Sequence, residues 1–156
     1  MLEVETFKTV IQSTPLVSID LIVRNASGQI LLGKRNNRPA KGYWFVPGGR
    51  VLKDEPLDTA FPRLMRQELG LDNAPSSFKG VYQHFYEDNF LSDDFSTHYV
   101  ALAYEIVVDG ELPKLPEEQH CEYHWFDEAD LLSNELVHRH TQWYFQADKR
   151  ADQFFM

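Results

Sequence analysis

Apolar residues along the chain fall into short blocks of two different periods. Residues 16–23 are rich in β-branched side chains and predict a strand; Asn25-Ala-Ser-Gly28 supplies turn chemistry, and residues 30–32 begin a second strand, together a hairpin. Residues 43–46 predict a short aromatic strand stopped by Pro47-Gly48-Gly49, a loop in which two glycines let a ligand approach the main chain. From Leu57 the period changes: Leu57, Ala60, Phe61, Leu64, Met65 and Leu69 recur as on one face of a helix closed by Gly70. Pro56 suits its first turn, whereas Pro62 removes a donor from its interior and predicts a kink. Residues 78–87 and 97–108 read as strands pairing across a loop at Asn89, the second with His98, Val100, Leu102, Tyr104 and Ile106 on one face. Residues 123–126 give a last strand, and 127–149 one or two helices. The pattern is mixed α/β.

Composition narrows the possibilities. A chain of 156 residues with 43% hydrophobic and 25% charged residues fits one domain over residues 1–156, and 11 Phe, 7 Tyr and 3 Trp argue against disorder. The formal charge of −9 repels nucleic-acid backbones and anionic lipid, so neither is an expected partner. A lone Cys121 excludes an internal disulfide and any multi-thiolate zinc site, and suits a reducing compartment. The N-terminus lacks a signal-peptide pattern, and no window approaches the about 20 apolar residues that span a bilayer. A soluble, cytoplasmic protein is the expectation.

Local charge departs from that average. Residues 24–53 contain Arg24, Lys34, Arg35, Arg38, Lys41, Arg50 and Lys53 and no acid. For each lysine a solvated surface is the simpler reading; Arg35, ending a strand, and Arg50, after the double glycine, are candidates for an anion site. Glu68 falls in the middle of the helical apolar stripe, near a helix end where negative charge is unfavourable. A bound cation or an arginine would account for it; so would a carboxylate reaching back to water. Gln119 and His120 lie in a predicted loop, where a histidine is ordinarily just solvated, and His84, His98 and Tyr99 on the strands read equally as core or pocket wall.

Residues 49–71, GRVLKDEPLDTAFPRLMRQELGL, resemble the Nudix box, G-x5-E-x7-R-E-U-x-E-E-x-G-U with U bulky and aliphatic. Gly49, Glu55, Arg63, Met65, Glu68, Gly70 and Leu71 match; Leu64 and Gln67 stand where the pattern has glutamates. The altered box, together with FKTVIQSTPLVSIDLIV, LLGKRNNRPAKGYWFVPGGRVLKDE, QHFYEDNF, DFSTHYV and LPEEQH, is similar to the GDP-mannose mannosyl hydrolase subgroup of the Nudix superfamily. That resemblance implies an α/β/α sandwich with a mixed sheet, a homodimer, and hydrolysis of GDP-mannose, and often GDP-glucose, to GDP and free sugar with inversion. It implies one Mg²⁺ per subunit, with Mn²⁺ as a substitute, held by the Gly48 carbonyl, Glu68, Gln119 and the substrate diphosphate. His120 becomes general base, Arg35 and Arg50 stabilise departing GDP, and Tyr99 touches the diphosphate. His84 lies near the sugar, Asp20 orients neighbouring groups, and Phe7 meets guanine across the dimer. Two other readings stay open: a Nudix pyrophosphohydrolase that attacks phosphorus, and a non-catalytic nucleotide-binding module.

Overall fold

The computed structural model describes residues 2–109, 112, 115–117 and 120–154. In chain order the elements are α1 (Val4–Ser13), β1 (Leu16–Arg24), β2 (Ile30–Arg35), β3 (Trp44–Phe45), β4 (Gly48–Arg50) and α2 (Leu57–Leu69), then β5 (Ser76–Tyr86), β6 (Thr97–Val107), β7 (His120–Phe126), α3 (Glu128–Ser133) and α4 (Arg139–Gln142). Seven strands form one mixed sheet of order β3-β2-β1-β6-β5, with β4 paired to β1 and β7 to β2. Among the described strands, β1 and β6 are the pair that runs parallel. The predicted hairpin survives only at its tip, where Arg24 faces Ile30. Beyond it β1 turns to β4 and β6, and β2 to β3 and β7, so the sheet divides around a crevice.

Strand alternation sends successive side chains of β1 to opposite faces. Ile19, Leu21 and Val23 pack with Leu31 against Ala60, Leu64, Met65 and Leu69 of α2. Ile22, Ile30, Leu32, Trp44, Val46 and Tyr82 pack against Leu131 and Val137 around α3 and α4. Helices therefore cover both faces, and the α/β/α sandwich expected from the sequence is the fold. At the end of α2, Gly70 takes the left-handed conformation and donates its N–H to the Arg66 carbonyl at 2.9 Å.

Two expectations change, at the double glycine and at His120, while the helix carrying Pro62 is continuous. Gly48 and Gly49 do not form a loop: they are the first residues of β4, opposite Asp20 and Ile19. α2 runs unbroken through Pro62. The carbonyl that Pro62 leaves without a donor belongs to exposed Asp58 in the first turn, where water can take the amide's place. His120 is not in a loop but begins β7, opposite Arg35.

Candidate active site

The ladder between β1 and β4 determines what the double glycine can offer. Leu21 donates its N–H to the Pro47 carbonyl and Val51 donates to Val17, both at 2.8 Å, so Pro47, Gly49 and Val51 are the residues bonded to β1. Gly48 alternates with them, and its carbonyl points away from β1, to an edge that no strand covers among the described residues. Only glycine fits there: a Cβ on residue 48 would stand 2.4 Å from the Ile19 carbonyl oxygen and 2.9 Å from Asp20 Oδ1.

Glu68 reaches the same strand from the α2 side. Its residue is only 8% exposed, and Oε1 lies 3.8 Å from where a Cβ on Gly49 would be. The alternative of a carboxylate escaping to water is therefore excluded. Arg63, one helical turn earlier, donates to Glu55 at 2.6 and 2.9 Å, to the Arg50 carbonyl at 2.9 Å and to Gln67 at 3.0 Å, clamping the segment after β4 onto α2. That clamp, with the Leu52 amide, lowers the Glu55 carboxyl to about 2. Leu64 is buried in the core, its Cδ2 only 2.6 Å from where a Cβ on Gly49 would be.

On the other face, register aligns a second group. Directly paired residues share a face, so Asp20 lies with Gly48, Ser18 with Arg50, Leu16 with Tyr99, and Tyr99 with His84. Ala101 and Ala103, opposite Ser18 and Asp20, keep the floor between them low. Desolvation raises Asp20 to about 6, against the lowering effects of a hydrogen bond from Tyr144 and of the nearby Arg35 charge. The same Tyr144 hydroxyl lies 3.3 Å from His84 Nε2.

Arg35 is the hub of the arrangement. Its charge acts on Asp20, His120, Tyr86, Tyr99 and His138, while its guanidinium rests 5.3 Å from the centre of the Phe45 ring. Arg50 acts on Tyr99 and covers Phe7 of α1 at 4.8 Å. Neither arginine makes an ion pair among the described residues, whereas Arg24, Arg38 and Lys53 are matched by Glu105 and Glu128, by Asp88 and Asp93, and by Asp54. Of the four arginines in the basic run, these two remain for an anion. His120 is 4% exposed; burial first, and Arg35 second, lower its imidazole to about 4, so it is neutral at pH 7. Asn36 donates to the carbonyl of Glu117, three residues before His120, at 2.8 Å.

Thus Asp20, Arg35, Arg50, His84, Tyr99 and His120 form one connected constellation, with Gly48 and Glu68 at the β4 edge. Gln119 lies outside the described residues. Phe7 sits on its own chain's Arg50 and 5.0 Å from Phe90. His98 is separate, stacked on exposed Phe85. Sequence reasoning missed His138 and His140. His140 stacks on His84 at 4.4 Å, and His138 stacks on Phe45 at 4.8 Å. An open cleft of about 680 Å³ adjoins the hub, lined by Tyr43, Tyr86, Asp88, Asn134, His138 and Arg139. A pair of histidines two apart, His138-Arg139-His140, was the one signal available.

The model of the NUDIX domain matches residues 14–147. Over 107 residues the chain is 41% identical to the low-salt glycan biosynthesis protein Agl8 of Haloferax volcanii, a match covering 69% of this chain and 68% of that protein. Among solved structures, a MutT NUDIX hydrolase from Burkholderia pseudomallei superposes with TM-score 0.70 at 28% identity, covering 85% of this chain and 97% of the other. A MutT protein from Methanosarcina mazei Go1 gives 0.69 at 26%, covering 85% and 92%.

Proposed function

The chain belongs to the NUDIX domain family and is a hydrolase of that fold, and from that premise we propose that it splits GDP-mannose or GDP-glucose into GDP and free hexose. The observation that carries this reading is the hub. An arginine without an acidic partner among the described residues faces a neutral, buried imidazole, and a second arginine stands beyond Tyr99. The likeness to a glycan biosynthesis protein supports a sugar-bearing substrate, and the subgroup resemblance supports guanine.

In this mechanism neutral His120 takes a proton from water as the water oxygen bonds to C1 of the sugar. The C1–O bond to diphosphate breaks through an oxocarbenium-like state, its electron pair going to the departing oxygen. Arg35 and Arg50 stabilise that oxygen's charge, which removes the need for a protonating acid. Asp20, held by Tyr144, and His84 face the sugar, and Tyr99 bonds the diphosphate. The donor set fits one divalent cation: the outward Gly48 carbonyl and buried Glu68 are oxygen ligands at one strand edge. Gln119 would complete the protein's share. Mg²⁺ bound there supplies further charge neutralisation for the diphosphate. The proposal includes a homodimer that brings Phe7 to guanine.

Turnover of GDP-mannose in ¹⁸O water tests it. Label in the hexose, released first as the inverted anomer, is expected. Label in GMP or sugar 1-phosphate would show attack on phosphorus, and saturable binding without product would show a binding module.

A further inference from the structure

We propose that Gly33 is a positioning residue that seats the His120 ring; this rests on His120 acting as the base. Gly33 lies inside β2, paired with Tyr123 of β7 on one side and Phe45 of β3 on the other. Its backbone is ordinary strand, outside the left-handed region, so local conformation does not require glycine there. Glycine within a strand is destabilising relative to residues with a side chain. Something other than strand formation explains it.

The explanation is the imidazole. A Cβ on residue 33 would stand 2.5 Å from His120 Nδ1, 2.6 Å from Cγ and 3.0 Å from Cβ. These atoms are the root of the side chain, so no rotation of a flexible end relieves the overlap; the whole ring must leave. The ring also meets Tyr123 edge to face at 5.5 Å. Buried Nδ1 has no hydrogen-bond partner among the described residues, so none of their carboxylates orients this nitrogen as in a Ser-His-Asp triad. Shape does it instead: the bare Gly33 backbone and the Tyr123 ring form the slot, and the register that sets His120 opposite Arg35 gives it direction.

A double-mutant cycle on the full chain tests this, with GDP-mannose and Mg²⁺ as assay and urea midpoints as a second readout. Gly33→Ala should lower kcat by about 10²-fold, the scale of a misplacement near 1 Å, with KM changed less than about threefold. In the His120→Ala background the same substitution should cause no further loss of kcat, because the ring it displaces is gone, and should no longer lower the urea midpoint. Equal losses in both backgrounds, or wild-type kcat in Gly33→Ala, would overturn the proposal. Should Gly33→Ala fail to fold, recovery of folding in Gly33→Ala/His120→Ala supports it and continued failure refutes it. Full activity of His120→Ala alone would instead overturn the base assignment.

Discussion

Lowering the pH from 7.5 to 5 should unfold this protein through its buried histidines. His84, His138 and His140 form one cluster beside the hub, with centroid distances of 4.4 and 4.5 Å between neighbours. Burial first, then the charges of their neighbours, lowers them from 6.5 to about 3, about 4 and about 2. A histidine depressed in the fold leaves stability intact above its unfolded value. Below that value the unfolded chain binds the proton that the native chain refuses, and stability falls. The loss is about 1.4 kcal/mol per pH unit for each histidine, so about 2 kcal/mol each at pH 5; with His120, lowered to about 4 in the same way, the four lose about 8 kcal/mol. Asp20 works in the opposite sense: raised from 3.8 to about 6, it binds a proton in the native state first. That returns about 1.4 kcal/mol at pH 5. The net loss of about 7 kcal/mol is comparable to the whole stability of an ordinary domain. Urea unfolding at constant ionic strength should show the midpoint falling steeply between pH 6 and 5 with an unchanged m-value, corresponding to uptake of about two to three protons. His140→Leu should reduce that uptake by about one. A stability flat from pH 7.5 to 5 would refute the buried, neutral cluster.

Three substitutions probe the site. His120→Gln should lower kcat by about 10²- to 10⁴-fold with an unchanged urea midpoint; an unchanged rate removes the histidine from the reaction. Glu68→Gln should raise the Mg²⁺ concentration for half-maximal rate by at least about tenfold, whereas an identical metal titration would show that Glu68 is no ligand. Tyr144→Phe takes a donor from the Asp20 carboxylate and should destabilise the fold by about 1–3 kcal/mol while raising the Asp20 pKa further, both readable by urea titration across pH.

What the sequence made legible is what depends on near neighbours. The period of Leu57 to Leu69 identified α2, and the place of Glu68 on its apolar stripe raised a buried carboxylate as one of two readings, the one the fold bears out. Features decided by distant pairing were not legible. Two adjacent glycines signal a turn, yet β1 recruits them as β4; His120 read as loop because nothing nearby shows that β2 extends β7 back to it. α1 also went unread, although Phe7 and Ile11 are spaced for one helical face. Arg24, Arg38 and Lys53 looked like Arg35 and Arg50 along the chain. Arg24 and Arg38 are matched by acids up to 104 residues away, which only folding reveals. His138 and His140 carry no periodic signal in a polar stretch; what defines them is stacking on Phe45 and His84 from remote strands.

The two departures from the Nudix box have one physical consequence. Leu64 packs into the α2 core beside Gly49, and Gln67 bonds Arg63 within the helix clamp, so neither position presents a carboxylate to a cation. Glu68 alone remains on that edge of α2, consistent with one ion rather than a cluster. On the proposed reading, charge on the leaving group would then be met by the two arginines without acidic partners among the described residues: Arg35, whose charge reaches His120, and Arg50, whose charge reaches Tyr99. An enzyme attacking phosphorus has to stabilise charge on oxygens around the reacting centre itself. One attacking C1 has only to receive a diphosphate that is already a stable anion. Fewer carboxylates and more unpaired arginine is the balance that the second task requires.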